Sequence, residues 1–111
     1  MPVHVGVVRL ELHVPGARSL KDKRRVVKSL IERMYHRLRV SVAETGLYEL
    51  HQRAEIGLAV MAGSEAELAH LLDDLHRLAE GTGEAFLTRW EPLSGVGEEP
   101  QHHAELGDQE W

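Results

Sequence analysis

Residues 3–14 read VHVGVVRLELHV, and this stretch decides the fold of the first half of the chain. From Val8 onward apolar and polar residues alternate, which predicts a strand with one buried face. Before Val8, three valines at alternate positions make the opposite face apolar as well. A strand that is apolar on both faces usually lies in the centre of its sheet or beneath a partner.

A helix is predicted over residues 20–38, after Pro15-Gly16 ends the strand. Ser19 is a typical N-cap residue, and Asp22 stands where a capping carboxylate is expected. Apolar residues recur at 3.6-residue spacing and predict the buried face: Leu20, Val26, Val27, Leu30, Ile31, Met34 and Leu38. A second face collects basic residues, interrupted only by Glu32, so the helix has a cationic outer surface: Lys21, Arg24, Arg25, Lys28 and Arg39.

The rest of the chain completes one α+β domain. Strands are predicted over residues 39–45, 53–62 and 84–93, with a second helix between the cap Ser64 and Gly81. This βαββαβ order is the ferredoxin-like arrangement, a four-stranded antiparallel sheet with two helices on one face. The domain is expected over residues 1–93, followed by an acidic, flexible tail over 94–111.

Composition restricts the class of protein. The chain has 111 residues, of which 42% are hydrophobic and 28% charged, as in one soluble globular domain. It has no cysteine, so disulfides and thiolate chemistry are excluded. Neither a membrane span nor a leader is recognisable, which favours a cytoplasmic protein. The absence of Asn and Cys also suggests a thermophilic source.

Charge is distributed unevenly along the chain. Residues 1–45 carry a net charge of +6, and residues 46–111 carry −11. One interpretation is an anion-binding face opposite an acidic one. The other is attraction between oppositely charged elements, within the fold or across a dimer.

Little in the sequence points to catalysis, a metal or a cofactor. The eight histidines are scattered, without the spacing of a zinc site, and no glycine-rich phosphate loop or nucleotide fingerprint is present. We therefore predict no metal and no cofactor. Glu44 and His51 could support an enzyme only as a weak third option.

The leading hypothesis is a non-enzymatic protein that binds RNA or a ribosomal particle through its first helix. Six basic residues are predicted to contact phosphates: Lys21, Lys23, Arg24, Arg25, Lys28 and Arg53. The first and third strands contain no aromatic residue, so stacking of bases on the sheet is not expected.

The alternative hypothesis is a homo-oligomeric regulatory or ligand-binding module with no nucleic-acid role. Its interface would be the uncovered sheet face. Four apolar residues are predicted there: Val5, Val7, Ala59 and Met61.

Three short segments resemble a known family. They are SLKDKRR at residues 19–25, VSVAE at 40–44 and QRA at 52–54. Together they are similar to the YlxP-like family of small bacterial proteins of unknown function, over about residues 3–92. The resemblance implies a ferredoxin-like fold and a cytoplasmic protein. Genes of that family commonly lie among those for transcription, translation initiation and ribosome maturation, which implies a connection to RNA or the ribosome.

Overall fold

The computed structural model describes residues 2–93, and the elements in this part follow the predicted order. They are β1 (His4–His13), α1 (Leu20–Arg37), β2 (Ser41–Gly46), β3 (Arg53–Ala62), α2 (Glu65–Glu80) and β4 (Phe86–Pro92). Each predicted boundary lies within two residues of the observed one. The predicted acidic tail over 94–111 lies outside the described residues.

The sheet is antiparallel, with the strand order β2-β3-β1-β4. The two most apolar strands, β1 and β3, therefore lie in the centre and pair along their whole length, from His4 opposite Ala62 to His13 opposite Arg53. This arrangement confirms the ferredoxin-like βαββαβ prediction.

One side of the sheet forms the core. The alternate residues of β1 and β3 that were predicted to face inward are buried, as Leu10 and Ile56 illustrate with no exposed surface. Leu30 of α1 and Leu75 of α2 belong to the same buried cluster, so both helices cover this face. The other face, which we call the open face, has no element packed on it within residues 2–93.

Glu44 of β2 is a charged residue that faces the helices, next to a bulge in the strand. The pairing of β2 with β3 shifts register between Glu44 and Gly46. Val42 and Glu44 lie on the helix-covered side of β2, since they pair with the buried residues Leu58 and Ile56. The carboxylate of Glu44 is thereby directed beneath α1 and away from the open face.

Candidate nucleic-acid interface

The start of α1 is fixed by its cap. The hydroxyl of Ser19 accepts a hydrogen bond from the backbone N–H of Asp22 at 3.1 Å. The Asp22 carboxylate in turn accepts one from the backbone N–H of Arg18 at 2.9 Å. The first bond satisfies an N–H group that the helix itself leaves without a partner, and the second joins the preceding residue to the first turn. The cap thereby fixes where the helix begins.

Three cations of α1 form an exposed line that we call the basic stripe: Lys21, Arg24 and Lys28. Successive members are three and four residues apart, so they share one helix face over about 10 Å of its length. Within residues 2–93 none of the three forms an ion pair. Their charges are therefore available to an external anion.

Arg25 differs from the stripe, although the sequence gives it the same role. Its guanidinium lies 2.9 Å from the carboxylate of Glu84, and both side chains are exposed. The hydrogen bond from Arg25 lowers the pKa of Glu84 below its ordinary value, and the attraction of the two charges adds to this effect. Glu84 therefore stays ionised to a lower pH than an unpaired glutamate does, and its negative charge offsets the positive charge of Arg25.

Lys23 is buried, which corrects its assignment to the phosphate-binding set. None of its surface is exposed. Its position in α1 explains this, because it precedes the buried Val26 by three residues, Val27 by four and Leu30 by seven. Its ammonium group cannot reach a phosphate in this structure.

Arg53 also lies apart from the basic stripe. It stands on the open face, opposite His13 of β1, because its neighbour Ala54 is buried on the helix-covered side. Its guanidinium lies 2.9 Å from the carboxylate of Glu11. Arg53 and α1 therefore face opposite sides of the sheet, and the structure does not bring them together.

The four apolar residues predicted at an interface do lie together on the open face. Val5 pairs with Met61 and Val7 with Ala59 across the two central strands. The side chains of Val5 and Met61 are 57% and 68% exposed, and the other two are half-buried. Beside them, Leu93 helps to line a shallow groove of about 430 Å³.

Sequence reasoning missed an aromatic residue that continues the basic stripe. Tyr35 follows Lys28 by seven residues, about two helical turns, so it lies on the same side of α1 about 10 Å beyond Lys28. Its surface is 67% exposed. It borders a hollow of about 730 Å³ formed by residues 35–41, which we call the α1–β2 hollow. The helical spacing of Tyr35 from Lys28 contains the signal for this position.

The described part of the chain contains neither a candidate metal site nor a helix that could span a membrane. Among residues 2–93, no group of three or more His, Asp or Glu side chains is arranged to hold a metal ion. Neither α1 nor α2 is long and apolar enough to cross a bilayer. What the described surface does offer is a set of exposed cations and an uncovered sheet face.

Comparison with known proteins identifies the family. A family profile described as "Protein of unknown function (DUF503)" matches residues 5–91. The chain belongs to this family. It is 30% identical over 90 residues to the uncharacterised protein YlxP of Bacillus subtilis (strain 168), an alignment that covers 78% of this chain and 98% of YlxP. The resemblance to YlxP-like proteins is thus confirmed.

The fold of this DUF503 chain has a counterpart among solved structures. A de novo designed protein with a ferredoxin fold, solved by solution NMR, superposes with a TM-score of 0.54. The superposition covers 85% of this chain and 88% of the designed one, at 15% sequence identity. At that identity the likeness shows the shared fold alone.

The segments that carry the DUF503 resemblance meet around Lys23. Its ammonium group donates hydrogen bonds to the backbone carbonyls of Leu47 at 2.8 Å and Arg53 at 3.2 Å. It also lies 3.1 Å from a carboxylate oxygen of Glu44 that is buried and accepts no aligned hydrogen bond. That contact is therefore a Coulombic pairing between a fully buried ammonium group and the buried oxygen of a partly exposed carboxylate. We call these groups the Lys23 cluster.

Gln52 also connects the β2–β3 loop to the segment that precedes α1. Its side-chain amide donates to the carbonyls of Pro15 and Ala17, at 3.1 and 3.2 Å. Leu47, in the same loop, has a φ of 56°, a backbone conformation that costs a leucine about 1 kcal/mol. The bond from Lys23 to the Leu47 carbonyl helps to hold that conformation. These motif residues thus join the β2–β3 loop to the start of α1.

Proposed function

We propose that this DUF503 protein binds RNA through the basic stripe of α1. The observation that carries the proposal is three exposed cations on one helix face, unpaired within residues 2–93, in a chain whose net charge is −5. Like charges at this spacing repel each other by a few tenths of a kcal/mol, about 0.2–0.5 kcal/mol per pair. An anionic partner removes that repulsion and supplies the missing counter-charges.

A nucleic-acid backbone suits the stripe better than a single small anion. The three cations extend over about 10 Å, whereas one carboxylate or phosphate contacts at most two of them at once. A chain of phosphates contacts all three successively. The outer surface of the neighbouring α2 carries acidic side chains such as Glu67, Asp73 and Glu80. Repulsion from these carboxylates directs a polyanion along α1.

We expect the affinity for RNA to fall steeply as salt rises. With three phosphate contacts on a single strand, log K should fall with log salt at a slope of about −2. The measurement is fluorescence anisotropy of a labelled oligouridine of about 12 nucleotides, titrated between about 50 mM and about 200 mM salt. Lys21→Ala should make the slope less negative by about 0.7, since it removes one contact.

Arg77→Ala is the matched control for this titration. Arg77 is exposed but already paired with Asp73 and Asp74 on α2, so its loss should leave the slope unchanged. Absence of binding at about 50 mM salt, or a salt-independent affinity, would contradict RNA binding through the stripe.

A second candidate function is self-association through the open face, favoured by the exposure of Val5 and Met61 in the centre of the sheet. An apolar patch that is exposed at the centre of a sheet suits an interface with another protein surface. Around them the open face carries three arginines and three glutamates in ion-paired or adjacent positions: Arg9, Arg53, Arg89, Glu11, Glu55 and Glu91. A face with balanced charge can meet a second copy of itself without net repulsion.

Under this second candidate, Met61→Asp should dissociate the oligomer. The buried carboxylate would lose its water without gaining a partner. Light scattering after size exclusion should then give the monomer mass of 12.5 kDa in place of a multiple of it. Leu50→Asp, which adds the same charge at an exposed apolar residue of the β2–β3 loop, should leave the mass unchanged. A wild-type mass of 12.5 kDa would reject the oligomer.

A further inference from the structure

We infer that the α1–β2 hollow is a site for an unpaired nucleotide, whose base stacks on Tyr35 and whose phosphate contacts Arg39. This inference rests on the proposed RNA binding and specifies which form of RNA the surface takes. It assigns a role to an exposed aromatic that the basic stripe alone does not use.

The position of Tyr35 supports the inference first. It follows Arg24 by eleven residues and Lys28 by seven, which are whole numbers of helical turns to within about 20°. A strand that runs along the stripe therefore reaches Tyr35 about 10 Å beyond Lys28, after it passes Glu32, an exposed carboxylate four residues after Lys28 on the same helix face. The ring is 67% exposed. Its one aromatic neighbour within residues 2–93, His36, stands edge-on, at 88° with ring centroids 5.9 Å apart.

The chemistry of the hollow supports it second. Its lining, residues 35–41, contains a tyrosine, a histidine and two arginines but no acidic side chain: Tyr35, His36, Arg37 and Arg39. At about 730 Å³ it falls in the range of small-molecule sites. Arg37 also borders a smaller hollow that contains Asp74, a carboxylate already bonded to Arg77. Arg39, in contrast, does not line the smaller hollow that contains Asp74. We therefore assign the phosphate contact to Arg39.

The geometry favours unpaired over duplex RNA. In a duplex each base is stacked between its neighbours, so an aromatic side chain gains access only at the ends. An unpaired base exposes both faces, and stacking on one aromatic ring contributes substantially to affinity. The central strands β1 and β3, on which the sheets of RNA-recognition domains stack bases, contain no Phe, Tyr or Trp here. In the binding mode inferred here, the base stacks on Tyr35 of α1 and not on the sheet.

The test compares Tyr35→Ala with Tyr35→Phe, on oligouridine and on a blunt RNA duplex of equal length. Stacking predicts that Tyr35→Ala weakens oligouridine binding by about 5- to 20-fold, while Tyr35→Phe stays within about twofold of wild type. Both variants should bind the duplex as wild type does. Tyr35 is exposed, so neither substitution disturbs the core. Tyr48→Ala, at a tyrosine that is 55% exposed in the β2–β3 loop, should leave oligouridine binding unchanged.

Each outcome separates the inference from the proposed function. If Tyr35→Ala binds oligouridine like wild type, or weakens both probes equally, the stacking site is wrong while RNA binding by the stripe stands. If wild type prefers the duplex, the inference is also overturned. If wild type binds neither probe, the proposed function itself fails. A loss specific to oligouridine that phenylalanine restores supports the site.

Discussion

Replacing Lys23 with alanine should lower the free energy of unfolding by about 3 kcal/mol. The substitution removes the counter-charge from the buried oxygen of Glu44, 3.1 Å away, and the donor from two backbone carbonyls. We expect the low end of the range for broken buried pairs, because the Glu44 side chain keeps 19% exposure and some access to water. A small domain is stable by only about 5–15 kcal/mol, so the loss is large.

Urea denaturation followed by circular dichroism measures this effect. Lys21→Ala is the matched control, since Lys21 is exposed and unpaired within residues 2–93 and should change stability by less than about 0.5 kcal/mol. Removing both charges with Lys23→Met and Glu44→Leu should restore part of the lost stability, because no lone buried charge then remains. If Lys23→Ala lowers the free energy of unfolding by less than about 1 kcal/mol, the ammonium group is solvated and does not depend on Glu44 and the two carbonyls.

Reversing the whole basic stripe should have the largest effect on binding. Lys21→Glu, Arg24→Glu and Lys28→Glu together replace three attractive phosphate contacts with three repulsive ones. We expect the affinity for oligouridine at about 50 mM salt to fall by about 100-fold or more. The helix should persist, since glutamate forms helices well and acidic residues are favourable near a helix N-terminus. Anisotropy measures the affinity, and circular dichroism the fold.

The control for this experiment is a triple reversal of the same net charge away from the stripe. Arg18→Glu, Arg33→Glu and Arg77→Glu change three exposed cations, of which the first precedes α1, the second lies on another face of α1 and the third lies on α2. This variant should lose affinity only modestly, through the general field of the protein. Equal losses in the two triple variants would place RNA binding in the overall charge and not in the stripe.

The secondary structure was predictable because local periodicity determines it. The alternation in residues 8–14 predicted the buried face of β1, and the observed strand buries those positions, with Leu10 and Leu12 wholly covered. The predicted cap at Ser19 is present as a hydrogen bond to the N–H of Asp22. These features depend on residues within a few positions of each other, so the sequence contains all the information that they need.

The candidate site was predictable only in part, because residue type alone does not show what a charge contacts. The basic run at residues 21–28 predicts an exposed Lys23, whereas its spacing from Val27 and Leu30 places it on the buried face. Glu44 continued the inward alternation of β2 after Val42, and the two inward charges form a pair. The periodicity of α1 and the alternation of β2 each indicate an inward-facing charge, and these two charges have opposite signs.

The sequence by itself determined which segments become strands and helices, their order, and which face of each is apolar, since these follow from side-chain periodicity. Only the tertiary structure decided which cations remain free. Arg25 meets Glu84 across 59 residues, Lys23 meets Glu44 beneath α1, and Lys21 meets no carboxylate within residues 2–93. The reason is that an ion pair requires two groups within about 4 Å, and distances between elements remote in the chain are set by how the helices pack on the sheet.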